Sequence, residues 1–292
     1  MKLISKFNIN VDENLTDRDY IEFYGKEKIG SNYLSNKGFT GKNTTIAIID
    51  TGCDINHPIL KDNIIGGKNF TTEGLDTEYN DCNGHGTHVA GIIKSVANDA
   101  KLLILKVLDG SGNGDYDWIV RAINYAVDQK VDVISMSLGG SVQDSNLYTG
   151  IRRAIENDIL VVCAAGNDGD GQGNTQEQSF PGAYNEVIEV GAMSLNDCVS
   201  KFSNSNKNVD LIAPGEDIIS TLPGGKYGKM SGTSQATPYV SGALALIKEY
   251  CECDFDRKLN ESELYAQLIK RTKTLDGIER TEQGNGYVCL NI

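Results

Sequence analysis

Five short runs of this 292-residue chain are apolar almost without a break: TTIAIID (44–50), KLLILKVL (101–108), VDVISMSL (131–138), ILVVCAAG (159–166) and EVIEVGA (186–192). A strand with one wet face alternates apolar and polar side chains. A run without alternation belongs to a strand covered on both faces, as in a parallel sheet. Between the runs lie DYDWIVRAINYAVDQK (115–130) and SNLYTGIRRAIENDI (145–159), with apolar residues at helical spacing. The alternation predicts an α/β fold, a doubly wound and mostly parallel sheet flanked by helices. In such sheets, ligands gather beyond the carboxyl ends of the strands. No repeat or low-complexity linker interrupts the pattern, and GNDGDGQGNTQEQS (166–179) reads as a long surface loop.

The carboxyl ends carry chemistry. The first run ends in Asp50-Thr51-Gly52, the third in Ser137-Leu138-Gly139-Gly140, the fourth in Ala164-Ala165-Gly166-Asn167. The stretch NGHGTHVAGII (83–93) reads as the start of a helix with His85 at its mouth. Further on, SGTSQATP (231–238) opens onto YVSGALALIKEY, so apolar that a helix there would be buried on most sides. Pro238 is expected in the first turn of that helix, where a missing N–H is harmless. Ser234 then stands at a helix N-terminus, where free N–H groups and the dipole favour developing negative charge. Taken alone, Ser234 reads as an N-cap.

A serine hydroxyl is a poor nucleophile at neutral pH unless a base takes its proton. Histidine serves as that base, with a buried carboxylate to fix its tautomer, and amide donors hold the resulting oxyanion. Asp50, His85, Ser234 and Asn167 supply one candidate for each role. DTG after an apolar strand also suits an aspartic-protease loop, but no second Asp-Thr-Gly or Asp-Ser-Gly occurs, and the α/β pattern contradicts that β-rich architecture. Cys82, His85 and His88 have plausible zinc spacing but lack a fourth ligand at a recognisable interval. His57 reads as structural in a His-Pro turn, and His88 as packed or bonded within its helix.

Composition narrows the partners. A formal charge of −13 argues against nucleic acid and anionic membranes. Seven cysteines, an odd number spread through the chain, do not form a recognisable disulfide framework. The N-terminal MKLISKFNINVDENL has no signal-peptide core, and no later stretch has transmembrane length. A cytoplasmic setting is expected.

DTG at 50–52, HGTHVAG at 85–91 and GTSQATP at 232–238 resemble, in order, the three signatures of subtilisin-like serine proteases. That order of Asp, His and Ser is a known hallmark of subtilisin. The resemblance runs from about Tyr24 to the C-terminus and is strongest to the intracellular subtilisins, as in DLIAPGEDIIST and ELYAQLIKRT. It implies a serine endopeptidase with Ser234 as nucleophile, His85 as general base and acid, and Asp50 as orienting carboxylate. It also implies an oxyanion hole from Asn167 and the Ser234 N–H. The strand Ser137, Leu138, Gly139 would pair with substrate backbone. That strand, with Ala164, Ala165, Gly166 and Ser179, would line the first specificity pocket, and Tyr116 and Ile119 would border a further apolar subsite. Such roomy, apolar pockets suit large uncharged side chains. A homodimer is implied by the same resemblance.

Departures from the family pattern matter. Gln235 follows the nucleophile where many relatives have Met. IIKSVANDAKLLILKVL after Gly91 lacks the loop that holds the tight calcium ion, and Ile59 and Tyr20 replace two further ligands. That site is expected to be absent, since calcium needs six or more oxygens. Gly182, Tyr184 and Val187 carbonyls with Asp210 form either a weak calcium or sodium site or ordinary turns. No cofactor is required for the chemistry. Residues 1–18 are expected to be an N-terminal extension to a catalytic domain at 19–292. The extension resembles an inhibitory leader that lies across the active site, making the protein a zymogen. In Leu3-Ile4-Ser5-Lys6-Phe7, Ser5 replaces the proline that resists cutting, and one residue is inserted before Phe7. The leading expectation is general turnover of intracellular proteins. A dedicated leader peptidase for one precursor is the alternative, and an inactive binding scaffold is a third.

Overall fold

The structure, a computed structural model, describes residues 24–291 together with Leu3, Asn10, Val11, Leu15 and Thr16. The expectations placed on Tyr20 and on Ile4–Phe7 lie outside the described residues, as does most of the 1–18 extension.

The strands are β1 (Asn10–Val11), β2 (Thr45–Asp50), β3 (Ile64–Asn69), β4 (Lys101–Lys106), β5 (Val133–Met136), β6 (Leu160–Ala164), β7 (Ile188–Met193), β8 (Val209–Pro214), β9 (Ile218–Leu222), β10 (Lys226–Met230), β11 (Thr272–Lys273) and β12 (Tyr287–Val288). The helices are α1 (Tyr24–Lys28), α2 (Asn32–Ser35), α3 (His85–Val96), α4 (Tyr116–Asp128), α5 (Ser145–Ile155), α6 (Thr233–Phe255), α7 (Glu261–Ile269) and α8 (Arg280–Gln283).

Nine strands make one sheet in the order β11-β12-β8-β7-β6-β5-β2-β4-β3. Every neighbouring pair in it is parallel except β11 with β12. All five apolar runs became strands of this sheet. The pleat explains why: in β2, Ile46 and Ile48 face the layer containing α3 and α6, while Ala47 and Ile49 face the layer containing α4 and α5. Because β4 and β5 flank β2 on opposite sides, the order in which strands are added reverses there, and a crevice opens at the carboxyl ends of β2 and β5. Asp50 and Ser137 stand at its lip.

Two expectations about α6 need correction. Pro238 is the sixth residue of the helix, one turn deeper than expected. Its missing N–H leaves the Ser234 carbonyl without the usual helical donor, and the Ser137 hydroxyl donates to that oxygen at 2.8 Å. Ser234 is not the N-cap either. Gly232 holds that position without side-chain capping, at a φ of 159°. A second, three-stranded antiparallel sheet runs β1-β10-β9, a piece the apolar pattern did not reveal.

Candidate active site

Asp50 ends β2 and His85 begins α3. His85 Nδ1 lies 2.8 Å from Asp50 Oδ1, and both side chains are only 1% exposed. The Thr51 N–H also donates to that Asp50 oxygen, at 2.7 Å. Close approach of the two elements requires glycine at 86: a Cβ there would stand 2.1 Å from the Gly52 carbonyl. Burial alone would lower the His85 pKa. The charge and hydrogen bond of Asp50, with a further charge from Asp81, outweigh it and hold the imidazole above its ordinary value. This is the environment of a base made more basic.

Ser234 sits in the first turn of α6, 8% exposed. Its hydroxyl donates to the Ser137 carbonyl at 3.0 Å, so in this structure its single proton points at β5's end. Asn167 follows β6. Its Oδ1 accepts from both the N–H and the hydroxyl of Thr233, at 2.8 and 3.0 Å. With the amide oxygen so engaged, Nδ2 is left to present its protons elsewhere. The Gly166 N–H in turn donates to the Thr233 hydroxyl at 3.2 Å. Thr233 therefore ties the Asn167 loop to the helix turn that carries Ser234. In the sequence, its place beside Ser234 is the one signal of this role.

One cleft is lined by Ser234, Asn167, Leu138, Gly139, Ala164, Gly166 and Ser179, all expected except for the company they keep. Gly140, the end of the same strand stretch, also lines it, as do Asp168, Gln178 and Ser141, to which the sequence assigned no role. Asp168 is exposed at this cleft, which makes it more polar than the apolar pocket expected. A Cβ at Gly139 would fall 2.3 Å from Ser179 Oγ, so any larger residue there would have to turn that hydroxyl aside. Ser137 and Ala165 are fully buried and support the cleft from behind. Ile119 is fully buried, and Tyr116, half-buried, packs on the same apolar cluster and donates its hydroxyl to the Val142 carbonyl at 2.8 Å.

Leu3 enters this cleft. Its carbonyl accepts the Gly139 N–H at 2.8 Å, and its N–H donates to the Gly112 carbonyl at 3.4 Å. Its side chain is buried in the cluster of Leu108, Ile119 and Leu138. Further along, Asn10 and Val11 pair antiparallel with Lys229 and Gly228 of β10.

The other candidates separate cleanly. His57 is buried, with Nε2 3.3 Å from the Lys226 carbonyl and its ring edge-on to Tyr227. His88 bonds outside its helix, contrary to expectation: Nε2 meets the carbonyls of Ile218 and Gly228 at 3.0 and 3.2 Å. All seven cysteines are free. Among the described residues no group of three His, Cys, Asp or Glu side chains is placed to hold a metal ion, and no helix is long and apolar enough to cross a membrane. Asp210 has both oxygens engaged, by the Tyr265 hydroxyl at 2.6 Å and the Glu189 N–H at 2.9 Å. Burial pushes its carboxyl up to about 6, and that of neighbouring Glu189 up to about 8. The Tyr184 carbonyl accepts from the Val187 N–H as in an ordinary turn.

Comparison with known proteins agrees with this geometry. Residues 41–286 match the model of the subtilase family. The chain is 57% identical to the major intracellular serine protease of Bacillus subtilis (strain 168), over 87% of this chain and 83% of that one. It is 54% identical to an intracellular serine protease of Paenibacillus polymyxa, over 86% of this chain and 80% of that one. Subtilisin E of Bacillus subtilis (strain 168) is 41% identical over 81% of this chain and 64% of its own.

Proposed function

The chain belongs to the subtilase family of serine proteases, and on that premise we propose that Asp50, His85 and Ser234 are its catalytic triad, with Asn167 in the oxyanion hole. The observation that carries the proposal is the buried Asp50–His85 pair, opening at the same strand ends as Ser234 and Asn167. Catalysis begins when the Ser234 hydroxyl turns its proton from the Ser137 carbonyl to His85 Nε2. The freed oxygen attacks the substrate carbonyl, and Asn167 Nδ2 and the Ser234 N–H receive the oxyanion. His85 passes the proton to the leaving amine as the C–N bond breaks. Water then hydrolyses the acyl-serine by the same steps in reverse roles. No cofactor takes part in the chemistry of this family.

The substrates are proteins of the cell interior, a reading supported by the intracellular relatives. General turnover is favoured over a dedicated leader peptidase because the cleft lining mixes polar and apolar residues, among them Asp168, Gln178, Leu138 and Ala164. Digestion of unfolded casein tests this: many cuts by the wild type and none by Ser234→Ala are expected. A single cut confined to one defined precursor would favour the leader peptidase.

The N-terminal segment inhibits the enzyme in this reading. Leu3 pairs with Gly139 as a substrate backbone would, and β1 fastens the chain again beyond it. For calcium, α3 runs unbroken to Val96 and only residues 97–100 precede β4, which leaves no inserted loop for the tight site. Of the two readings of Gly182, Tyr184, Val187 and Asp210, ordinary turns have the stronger support, because the Asp210 oxygens are engaged and burial favours their neutral form.

A further inference from the structure

Four residues before the start of α3, Asp81 lies 7% exposed and outside the triad. Its Oδ1 accepts the Thr51 hydroxyl at 2.9 Å and the N–H groups of Asn83 and Gly84 at 2.9 and 2.8 Å. Its Oδ2 accepts the N–H and hydroxyl of Thr87 at 2.9 and 2.6 Å. Thr51 Oγ1 in turn accepts the Gly86 N–H at 2.9 Å. One carboxylate thus gathers donors from the residue after Asp50 and from both sides of His85 in sequence.

We propose that Asp81 is a positioning residue of the catalytic pair, locking the Asp50 loop onto the first turn of α3 so that the imidazole and the Asp50 carboxylate keep their alignment. The proposal rests on the triad reading above. Its physical basis is threefold. Hydrogen bonds to an ionised carboxylate are about twice as strong as neutral ones, so five of them make a stiff joint. Joint and triad share atoms of adjacent residues: Thr51 N–H holds Asp50, while Thr51 Oγ1 bridges Asp81 to Gly86. Finally, the Asp50–His85 pair has little else to align it from the Asp50 side, where Oδ2 has no hydrogen-bond partner among the described residues. The Asp81 charge has a further effect, adding to that of Asp50 in holding the His85 pKa up.

A merely structural anchor would affect how much enzyme folds, but not how each folded molecule reacts. The test is therefore the second-order rate of fluorophosphonate labelling from pH 5 to 9 on the full chain, normalised to the labelled fraction, with melting temperature in parallel. Asp81→Asn keeps the shape while losing the charge and some acceptor capacity. It is expected to slow labelling at the plateau by at least about tenfold, because small misplacements of a catalytic group carry large rate losses. It should also move the acid limb of the profile to lower pH. Thr51→Val breaks the bridge but keeps the charge, so the plateau falls and the acid limb stays. An unchanged plateau and acid limb in Asp81→Asn overturns the proposal, whatever its melting temperature. If Asp81→Asn does not fold, an unchanged plateau in Thr51→Val overturns it alone. A wild type that takes no label either as the full chain or after removal of residues 1–18 defeats the triad reading itself, and the proposal with it, an outcome distinct from labelled but unaffected variants.

Discussion

His85 and His88 stand three positions apart at the start of α3, yet their imidazoles are displaced in opposite directions. His85 is held up by the Asp50 carboxylate. His88 has no such partner: burial first, and then the His85 charge, lower its pKa to about 3. Its Nε2 faces two carbonyls, and its buried Nδ1 has no hydrogen-bond partner among the described residues. The proton therefore sits on Nε2, and a second proton would have no acceptor. The sign follows by linkage. A group whose folded pKa is depressed contributes stability that is present above its unfolded value of 6.5 and is lost as pH falls toward 3. His85, with a raised pKa, works in the opposite sense, so the comparison must be between variants. Melting temperatures from pH 7 down to 4.5 should fall less steeply in His88→Gln than in the wild type. Parallel curves would show that His88 is not a source of acid lability. Neither imidazole's environment can be read from the sequence HGTHVAG, because the carbonyls facing His88 belong to strands more than a hundred residues away.

At the scale of elements, α6 begins where a strand end and a proline meet. The Ser137 hydroxyl, fully buried, fills the gap that Pro238 leaves at the Ser234 carbonyl. Ser137→Ala should leave that buried carbonyl without a donor and cost about 1–3 kcal/mol of stability in denaturant unfolding. A loss within error of zero would mean that water or a shifted helix replaces the bond. This contact also shows what the sequence could and could not disclose. β2, β4, β5, β6 and β7 were legible because both faces are buried and most positions are apolar. β3 and the β9–β10 hairpin were not, since IIGGKN and KYGKM mix glycine and lysine into half-exposed strands. The depth of Pro238 in its helix was misjudged for a related reason. The usual rule assumes the lost bond has no substitute, and here a hydroxyl from another strand supplies one.

Over the whole molecule, the residues proposed as the triad stood out because each lies at a strand or helix end with its chemistry in a short motif. The supports of the site were not legible: Thr233 and Asp81 matter through partners, Asn167 and Thr51, that only folding brings near. The N-terminal segment belongs to this scale as well, since Leu3 and β1 fasten it to two sites far apart in the sequence, at Gly139 and at β10. Deleting residues 1–18 should speed hydrolysis of a small peptide substrate. Equal rates for the truncated and full-length chains, with the full-length mass confirmed throughout the assay, would leave the segment without an inhibitory role. Everything in this account depends on Ser234 being the nucleophile that His85 activates. The most direct test is to label the protein with a fluorophosphonate and locate the adduct by peptide mapping. The account predicts a single adduct on Ser234, and none on Ser234→Ala despite an unchanged fold. An adduct on another residue, or peptidase activity that survives in Ser234→Ala, would contradict it.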